Sequence, residues 1–194
     1  MGAVHDDGEL WQAYDEQGEP ITSKGITKPQ AAAGALHAAS HVWIWRGQGN
    51  DTEVLLQKRG ASKRTWPGYL DISAAGHIDF GEMPLQAALR ETKEELGHEV
   101  DPAQLQLLFV HPQYIRTEPE GIIENEFQWV YGLRLQDAAT FALQENEVDS
   151  LVWMSLSDFR RLAAHKLAGK RAVPHGDAYF AMLLRKIAKR EGTL

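Results

Sequence analysis

Three glutamates near the middle of the chain have a spacing that could bind a metal ion. Glu91, Glu94 and Glu95 fall at i, i+3 and i+4 of a segment with helical periodicity, so their carboxylates share one helix face. Like charges at this spacing repel, so a helix does not gather them for stability. Divalent cations such as magnesium bind carboxylate oxygens and bridge them to substrate phosphates. The spacing predicts either a metal site or a solvated acidic face with Arg90 and Lys93 as counter-charges.

The helix that positions these glutamates is predicted over Pro84–Leu96. Its apolar residues, among them Leu85 and Leu89, repeat on the stripe opposite the carboxylates. A proline is tolerated in the first turn, and Gly97 stands where a C-terminal cap is expected. Glu82 precedes the helix and can join the carboxylates from the loop.

The other elements are predicted from alternating apolar residues, turn residues and helical spacing. The hairpin is Leu10–Tyr14 with Pro20–Thr22, the further strands are Leu36–Trp45, Glu53–Gln57, Leu70–Ser73, Leu105–Val110, Ile122–Leu135 and Leu151–Met154, and the closing helices are Ser157–Leu167 and Asp177–Lys189. Ser23–Ala35 is predicted to cross to the main sheet as a loop or short helix. We therefore expect an α/β fold, a mixed sheet covered by helices, in a single domain of residues 1–194 with 1–35 as an N-terminal extension.

Composition narrows the classes of function. The 194 residues include 20 Lys and Arg against 27 Asp and Glu, a net charge of −7, and no cysteine. The acidity argues against binding duplex nucleic acid, which needs clustered cations. The missing cysteine excludes disulfides, thiolate metal sites and a cysteine acid or nucleophile. No apolar run could cross a membrane and the N-terminus lacks a signal-peptide pattern, so we expect a soluble, cytoplasmic protein.

Charge is also segregated along the chain. Lys58, Arg59, Lys63 and Arg64 place four cations in seven residues, and Glu118, Glu120, Glu124 and Glu126 place four acids in nine. Opposite blocks of this kind can bind phosphates and metals respectively, although solvated loop charges are the alternative for some members. Glu124 and Glu126 lie two apart in a predicted strand and therefore face the same side.

The stretch GHIDFGEMPLQAALRETKEELGH, residues 76–98, resembles the Nudix box in every charged and glycine position. Thr92 and His98 stand where the box usually has aliphatic residues. The resemblance implies the Nudix fold, an α/β/α sandwich, and metal-dependent cleavage of a diphosphate linkage. It also implies that Glu91, Glu94 and Glu95 bind Mg²⁺ or Mn²⁺, with Glu91 or Glu95 acting on water, and that Arg90 holds the glutamates by salt bridges.

Residues 55–68 and 121–126 resemble the corresponding segments of isopentenyl-diphosphate isomerases. By position, that resemblance implies diphosphate binding by Arg59 and Lys63, metal binding by His37, His77, Glu124 and Glu126, and an active-site role for Tyr114. Other histidines, including His41, His111 and His175, are assigned no role.

Departures from the isomerase pattern favour hydrolysis. Ala75 stands at the place of the acid–base cysteine, and the first metal histidine falls near Gln30. An alanine cannot protonate an alkene. We expect a metal-dependent hydrolase that cleaves the phosphoanhydride bond of a nucleoside diphosphate-X or another organic diphosphate.

Two further hypotheses remain at this point. The first is an isopentenyl-diphosphate isomerase-like protein that acts on or binds prenyl diphosphates, and the second is a non-catalytic sensor of a diphosphate metabolite. Nudix relatives often form homodimers, although the sequence itself does not specify an oligomeric state.

Overall fold

The computed structural model describes residues 8–63, 65–116, 121–136, 139–145 and 147–192. Arg64, Glu118 and Glu120 of the two charge blocks lie outside these ranges. The strands are β1 Leu10–Tyr14, β2 Pro20–Thr27, β3 His37–Arg46, β4 Glu53–Arg59, β5 Leu70–Asp71, β6 Ala74–His77, β7 Gln106–Arg116, β8 Ile123–Arg134 and β9 Val148–Ser155. The helices are α1 Lys28–Ala32, α2 Pro84–Leu96, α3 Leu156–Ala163 and α4 Asp177–Glu191.

Within the described residues, seven strands form one mixed sheet. Its central path runs β5-β4-β3-β8-β7, with β6 also paired to β3 and β9 to β4. Strands β3 and β8 are parallel, with His37 opposite Glu126, and the other pairs are antiparallel. The register therefore brings the start of β3, the acidic segment of β8 and the short strand β6 to one place.

Alternation along β3 separates two apolar cores. Val42 and Ile44 pack with Ala88 and Leu96 of α2 on one face of the sheet. On the other face, Trp43 and Trp45 lie in a core that includes buried residues of α3 and α4. The sheet is thus covered by helices on both sides, which confirms the predicted α/β/α layers.

The N-terminal hairpin packs on the segment that follows β6. Gln12 N donates to Ile78 O at 2.8 Å and Phe80 N donates to Leu10 O at 2.9 Å. Strand β2 runs to Thr27, five residues beyond the predicted end, and leaves only the short α1 to reach the sheet. The extension is therefore joined to the loop before α2.

Most element predictions are confirmed, and the differences are local. Helix α2 has the predicted bounds, and Gly97 ends it with φ +61°. Strand β6 was not predicted as a separate element. Its residues Ala-Ala-Gly-His carry no strand pattern, and only the pairing with β3 makes them a strand. No helix of the described residues is long and apolar enough to cross a membrane.

Candidate active site

Arg90 connects the carboxylates of α2 to the loop before it. Its guanidinium donates to Glu82 at 3.0 Å through two nitrogens, to Glu91 at 2.6 Å and to Glu94 at 3.2 Å. It also donates to the carbonyl oxygen of His77 at 3.0 Å. Burial disfavours the charged guanidinium, but the hydrogen bond to Glu82 and the charge of Glu91 raise the pKa of Arg90. The fork geometry of arginine thus fixes the helix, the loop and β6 relative to one another.

Glu95 is buried, so the alternative of a solvated acidic face does not hold for this carboxylate. It is 5% exposed, and its Oε2 accepts hydrogen bonds from Gln57 Nε2 and from Ala75 N, both at 3.0 Å. Burial raises the pKa of this carboxyl to about 8. A carboxyl with this pKa can accept or release a proton near neutral pH.

Glu91 lies over the backbone of β6 at Gly76. A β-carbon added to Gly76 would collide with the Glu91 carboxylate, so only glycine leaves room for it there. Burial raises the pKa of Glu91 despite the opposing charge of Arg90. Glu94, in contrast, is half exposed and contacts the solvent side of Arg90. The carboxyls of Glu91 and Glu95 thus face β6, and that of Glu94 stands at the rim.

A second group of side chains that could bind a metal ion lies on the opposite face of the sheet. His37, His77 and Glu126 bring their ligand atoms within 4.8 Å of one another. His37 Nε2 is 3.6 Å and His77 Nε2 4.0 Å from Glu126 Oε2. Partial burial and the neighbouring His37 hold the pKa of His77 well below its usual value, which keeps the ring neutral. Neutral imidazole and carboxylate form a donor set suited to a divalent transition metal.

Strand β6 separates the two groups. Alternation turns Gly76 toward Glu91 on α2, whereas Ala75 and His77 line a cavity on the other face. The metal ligands predicted as Glu91, Glu94, Glu95, Glu124 and Glu126 therefore fall into two sets on either side of β6, and the charges of Lys63 and of Asp71, which lines the cavity, act on Glu95. Whether each set binds a metal stays a prediction.

The second group has fewer metal ligands than the isomerase pattern, because Gln30 stands near the position of that pattern's first metal histidine and makes other contacts. The Gln30 side chain accepts a hydrogen bond from Thr27 N at 2.8 Å and caps α1. Trp11 of the hairpin instead stacks on His77, with ring centroids 3.5 Å apart and planes at 11°. An aromatic ring therefore covers the histidines. No local sequence pattern predicts this role for Trp11, because its contact with His77 spans 66 positions.

A cavity of about 190 Å³ adjoins the second group. Its walls include Arg59, Glu124 and Glu126, together with residues that sequence reasoning missed, namely His41, Asp71, Gln113 and His175. His175 Nε2 lies 2.8 Å from Asp71 Oδ1. Burial opposes ionisation of Asp71, but the hydrogen bond and charge of His175 and the charge of Arg59 lower the pKa of Asp71 to about 2. These cavity residues come from segments that are distant in the sequence, so no local pattern predicts that they lie together.

The predicted diphosphate-binding residues differ in placement. Arg59 lines the cavity, and its guanidinium is held by Asp71 at 2.8 Å and by the Thr65 carbonyl. Lys63 is ion-paired with Glu147, and burial lowers its pKa although the charge of Glu95 acts against this.

Tyr114 is 68% exposed and is not among the residues that line the cavity. The neighbouring Gln113 lines it instead, because successive side chains of a strand point to opposite faces. Contact between Tyr114 and substrate therefore stays a prediction.

Comparison with known proteins places this arrangement among described relatives. A family model described as the NUDIX domain matches residues 35–175. Nudix hydrolase 3 of Arabidopsis thaliana is 35% identical over 142 residues, which cover 70% of this chain but 18% of that protein. Isopentenyl-diphosphate Delta-isomerase of Escherichia coli O6:H1 is 31% identical over 145 residues, which cover 75% of this chain and 76% of the isomerase.

Solved structures have the same fold. DR0079 of Deinococcus radiodurans superposes with a TM-score of 0.63 at 25% identity, covering 92% of this chain and 98% of that one. A C. elegans Ap4A hydrolase in a binary complex gives 0.51 at 26% identity, covering 79% and 96%. The NUDIX domain of Shewanella oneidensis NrtR, solved with ADP ribose, gives 0.57 at 18% identity, covering 85% and 99%, and supports the fold alone.

Proposed function

The chain belongs to the NUDIX domain family, and on that premise we propose that it is a hydrolase that cleaves the phosphoanhydride bond of an organic diphosphate. The observation that carries the proposal is the set of glutamates around β6, with Glu95 buried, Glu91 14% exposed against Gly76, and Arg90 binding Glu82, Glu91 and Glu94. A nucleoside diphosphate-X and a simpler diphosphate ester both fit this chemistry.

The donor set fits Mg²⁺ or Mn²⁺. Burial of two like-charged carboxyls is unfavourable and raises both pKa values, and a divalent cation beside them would favour their ionised forms. Glu91, Glu94 and Glu95 would hold it. When bound, such an ion polarises a phosphoryl oxygen and lowers the pKa of water.

The protein's own groups supply positioning and proton transfer. Glu95 is the candidate base: burial raises the pKa of its carboxyl to about 8 without a metal, and a bound cation would favour the ionised form that can take a proton from attacking water. Arg90 holds the carboxylates of Glu91 and Glu94 by hydrogen bonds. Arg59 is held ready by Asp71, and with Lys63 it would contact the diphosphate.

Isosteric substitutions test this proposal. Glu94→Gln and Glu95→Gln keep the shape of the side chain but remove the charge, so we expect each to lower phosphate release by at least about a hundredfold. The measurement is release of phosphate, with product masses, from a panel of diphosphates in Mg²⁺ or Mn²⁺. Glu99→Gln, at an exposed glutamate that is paired with Lys93, is the matched control. Undiminished turnover in both box variants would rule the proposal out.

The histidine cluster favours a second candidate, an isomerase-like protein that acts on or binds prenyl diphosphates. His37, His77 and Glu126 are assembled on the cavity side of β6, where the isomerase resemblance implies metal ligands. Ala75 nevertheless lines the cavity at the place of the required acid. This candidate predicts solvent deuterium in recovered isopentenyl diphosphate, and we expect none from the wild-type protein.

A further inference from the structure

His41 lies where the cavity meets the apolar core. It precedes Trp43 by two positions on β3, so both side chains belong to the face of the sheet that packs against α3 and α4. Its ring is 4% exposed and lines the cavity together with Ala75, its partner in the register of β3 and β6. The imidazole therefore stands at the boundary between the core and the cavity.

A hydrogen-bonded chain from the core fixes which nitrogen of His41 carries the hydrogen. An indole nitrogen can only donate, and Trp43 Nε1 donates to the hydroxyl oxygen of Tyr179 at 2.8 Å. That oxygen is also 2.9 Å from His41 Nδ1. Tyr179 is fully buried, so its hydroxyl hydrogen needs an acceptor, and among the described residues Nδ1 is the acceptor in contact with it. Tyr179 therefore donates to an unprotonated Nδ1.

The imidazole of His41 is neutral. Burial and the charge of His175 hold the pKa of His41 well below its usual value, although the charge of Asp71 acts against this. Burial also raises the pKa of Tyr179 well above its usual value, so the hydroxyl keeps its hydrogen. A neutral imidazole carries a single N–H, and with Nδ1 as the acceptor this hydrogen is on Nε2.

The Nε2–H group of His41 has no hydrogen-bond acceptor among the residues that the structure describes. Nor does Nε2 belong to the buried, unpaired polar atoms of that part of the chain. Because Nδ1 faces Tyr179 in the core and the ring lines the cavity, Nε2–H is the edge of the ring that the cavity can reach. The cavity wall thus contains a donor of fixed tautomer that is free to bind an oxygen atom.

We infer that His41 binds a phosphoryl oxygen of the substrate through Nε2–H and that Tyr179 is the positioning residue that sets its tautomer. The inference rests on the proposed function, in which the diphosphate contacts Arg59 on the wall of the same cavity. Asp71, the nearby acid, is held by Arg59 and His175. A neutral donor can be buried at a lower desolvation cost than a second cation, and a fixed orientation needs no rearrangement when the anion arrives.

Binding of methylenebisphosphonate, a non-hydrolysable diphosphate, tests the contact without requiring turnover. His41→Asn places its amide near the position of Nδ1 and lacks a donor at Nε2, whereas His41→Gln extends an amide nitrogen to the position of Nε2. By calorimetry in Mg²⁺ we expect the dissociation constant to rise at least about tenfold in His41→Asn and to stay within about threefold in His41→Gln.

His165→Asn is the matched control for this pair of variants. His165 is exposed and has a φ of +55°, a conformation that asparagine tolerates, so the affinity should keep its wild-type value. Wild-type affinity in His41→Asn, or equal losses in His41→Asn and His41→Gln, would overturn the inference. So would wild-type protein that does not bind the bisphosphonate.

Nitrogen-15 spectra of the histidine rings test the tautomer in the wild-type protein, whatever the stability of the variants. At pH 7 His41 should have its hydrogen on Nε2, and the bisphosphonate should shift the Nε2 resonance. Tyr179→Phe removes the donor to Nδ1, so both tautomers should become populated. Tyr131→Phe makes the same change at a buried tyrosine in the core on the other face and should leave the spectrum of His41 unchanged. An imidazolium or an Nδ1–H tautomer in wild type would overturn the inference.

Hydrolysis separates this inference from the proposed function. Turnover by His41→Asn with a wild-type KM would overturn the role of His41 and leave the hydrolase proposal standing. Affinity for the bisphosphonate that depends on His41, without turnover of any diphosphate by wild type, would do the reverse, because binding needs no chemistry.

Discussion

Gly76 illustrates how a single absent side chain shapes the candidate site. The Glu91 carboxylate occupies the space where any other residue would place its β-carbon. The backbone at Gly76 does not have a positive φ, so packing rather than conformation accounts for the glycine. We predict that Gly76→Ala displaces Glu91 and lowers hydrolysis at least about tenfold, since misplaced catalytic groups are costly.

A second substitution makes that prediction specific. Glu91→Asp shortens the carboxylate by one methylene and should partly restore activity in the Gly76→Ala background, although Glu91→Asp alone should reduce it. Kinetics of the four proteins provide the double-mutant cycle, and circular dichroism checks the fold. Strictly additive losses would contradict steric coupling between these two positions.

The raised pKa of Glu95 makes a prediction about stability. In the folded protein this carboxyl stays protonated up to about pH 8, whereas its ordinary value is 4.5. Unfolding therefore releases a proton between these values, and the contribution of Glu95 to the free energy of unfolding falls as pH rises from about 4.5 to 8. The raised pKa of Glu91 acts in the same direction.

Thermal unfolding in chelator measures this effect. The Tm of Glu95→Gln relative to wild type should rise by more than about 4 °C between pH 5 and pH 8, because the amide never ionises. Added Mg²⁺ should stabilise wild type at pH 8 and reduce the difference in Tm between Glu95→Gln and wild type. For the exposed control Glu99→Gln we expect a difference in Tm from wild type that does not change with pH. The same constant difference for Glu95→Gln would show that Glu95 ionises normally.

At the scale of elements, local signals were predictable and distant contacts were not. The bounds of α2 follow from its apolar repeat, its initial proline and Gly97, all within 14 residues of one another. The burial of Glu95 depends on Gln57 and Ala75, which are 38 and 20 positions away, and no periodicity encodes those contacts. The short strand β6, on which both carboxylate sets depend, has a sequence without strand propensity.

The N-terminal hairpin positions the loop that begins the box. Gln12 is 3% exposed; its Oε1 accepts from Gly81 N at 3.0 Å, and its Nε2 donates to the carbonyl oxygens of Ala13 and Ile21. These bonds join both strands of the hairpin to the turn before Glu82.

We predict that Gln12→Leu destabilises the protein by about 1–3 kcal/mol, because it leaves buried backbone groups unpaired. Urea unfolding measures this change. Gln12→Glu keeps the acceptor for Gly81 N but loses the donor to Ala13 O and Ile21 O. Its free energy of unfolding therefore shows whether the accepted or the donated hydrogen bonds contribute more to stability. Wild-type stability in Gln12→Leu would mean that the hairpin is only loosely attached.

At the scale of the whole molecule, residues outside the segment 35–175 that the family model matches complete both faces of the sheet. Strand β1 precedes the match and pairs with the segment after β6, while α4 follows it and covers the core beside Trp43. The hydroxyl of Tyr179 accepts from Trp43 Nε1 at 2.8 Å and is 2.9 Å from His41 Nδ1. At the far end of α4, Glu191 accepts from Trp45 Nε1 at 2.7 Å.

A fragment of residues 35–175 should therefore not fold as the full chain does. Removing α4 would expose Trp43, Trp45 and Phe159, which are each at most 2% exposed, and would leave two indole N–H groups without their partners. We expect the fragment to bind a hydrophobic dye and to lack a cooperative thermal transition, whereas residues 8–192 should melt cooperatively. A cooperative transition for the fragment, within a few degrees of the full chain, would show that the matched segment is self-sufficient and that the flanking elements act only on ligand binding.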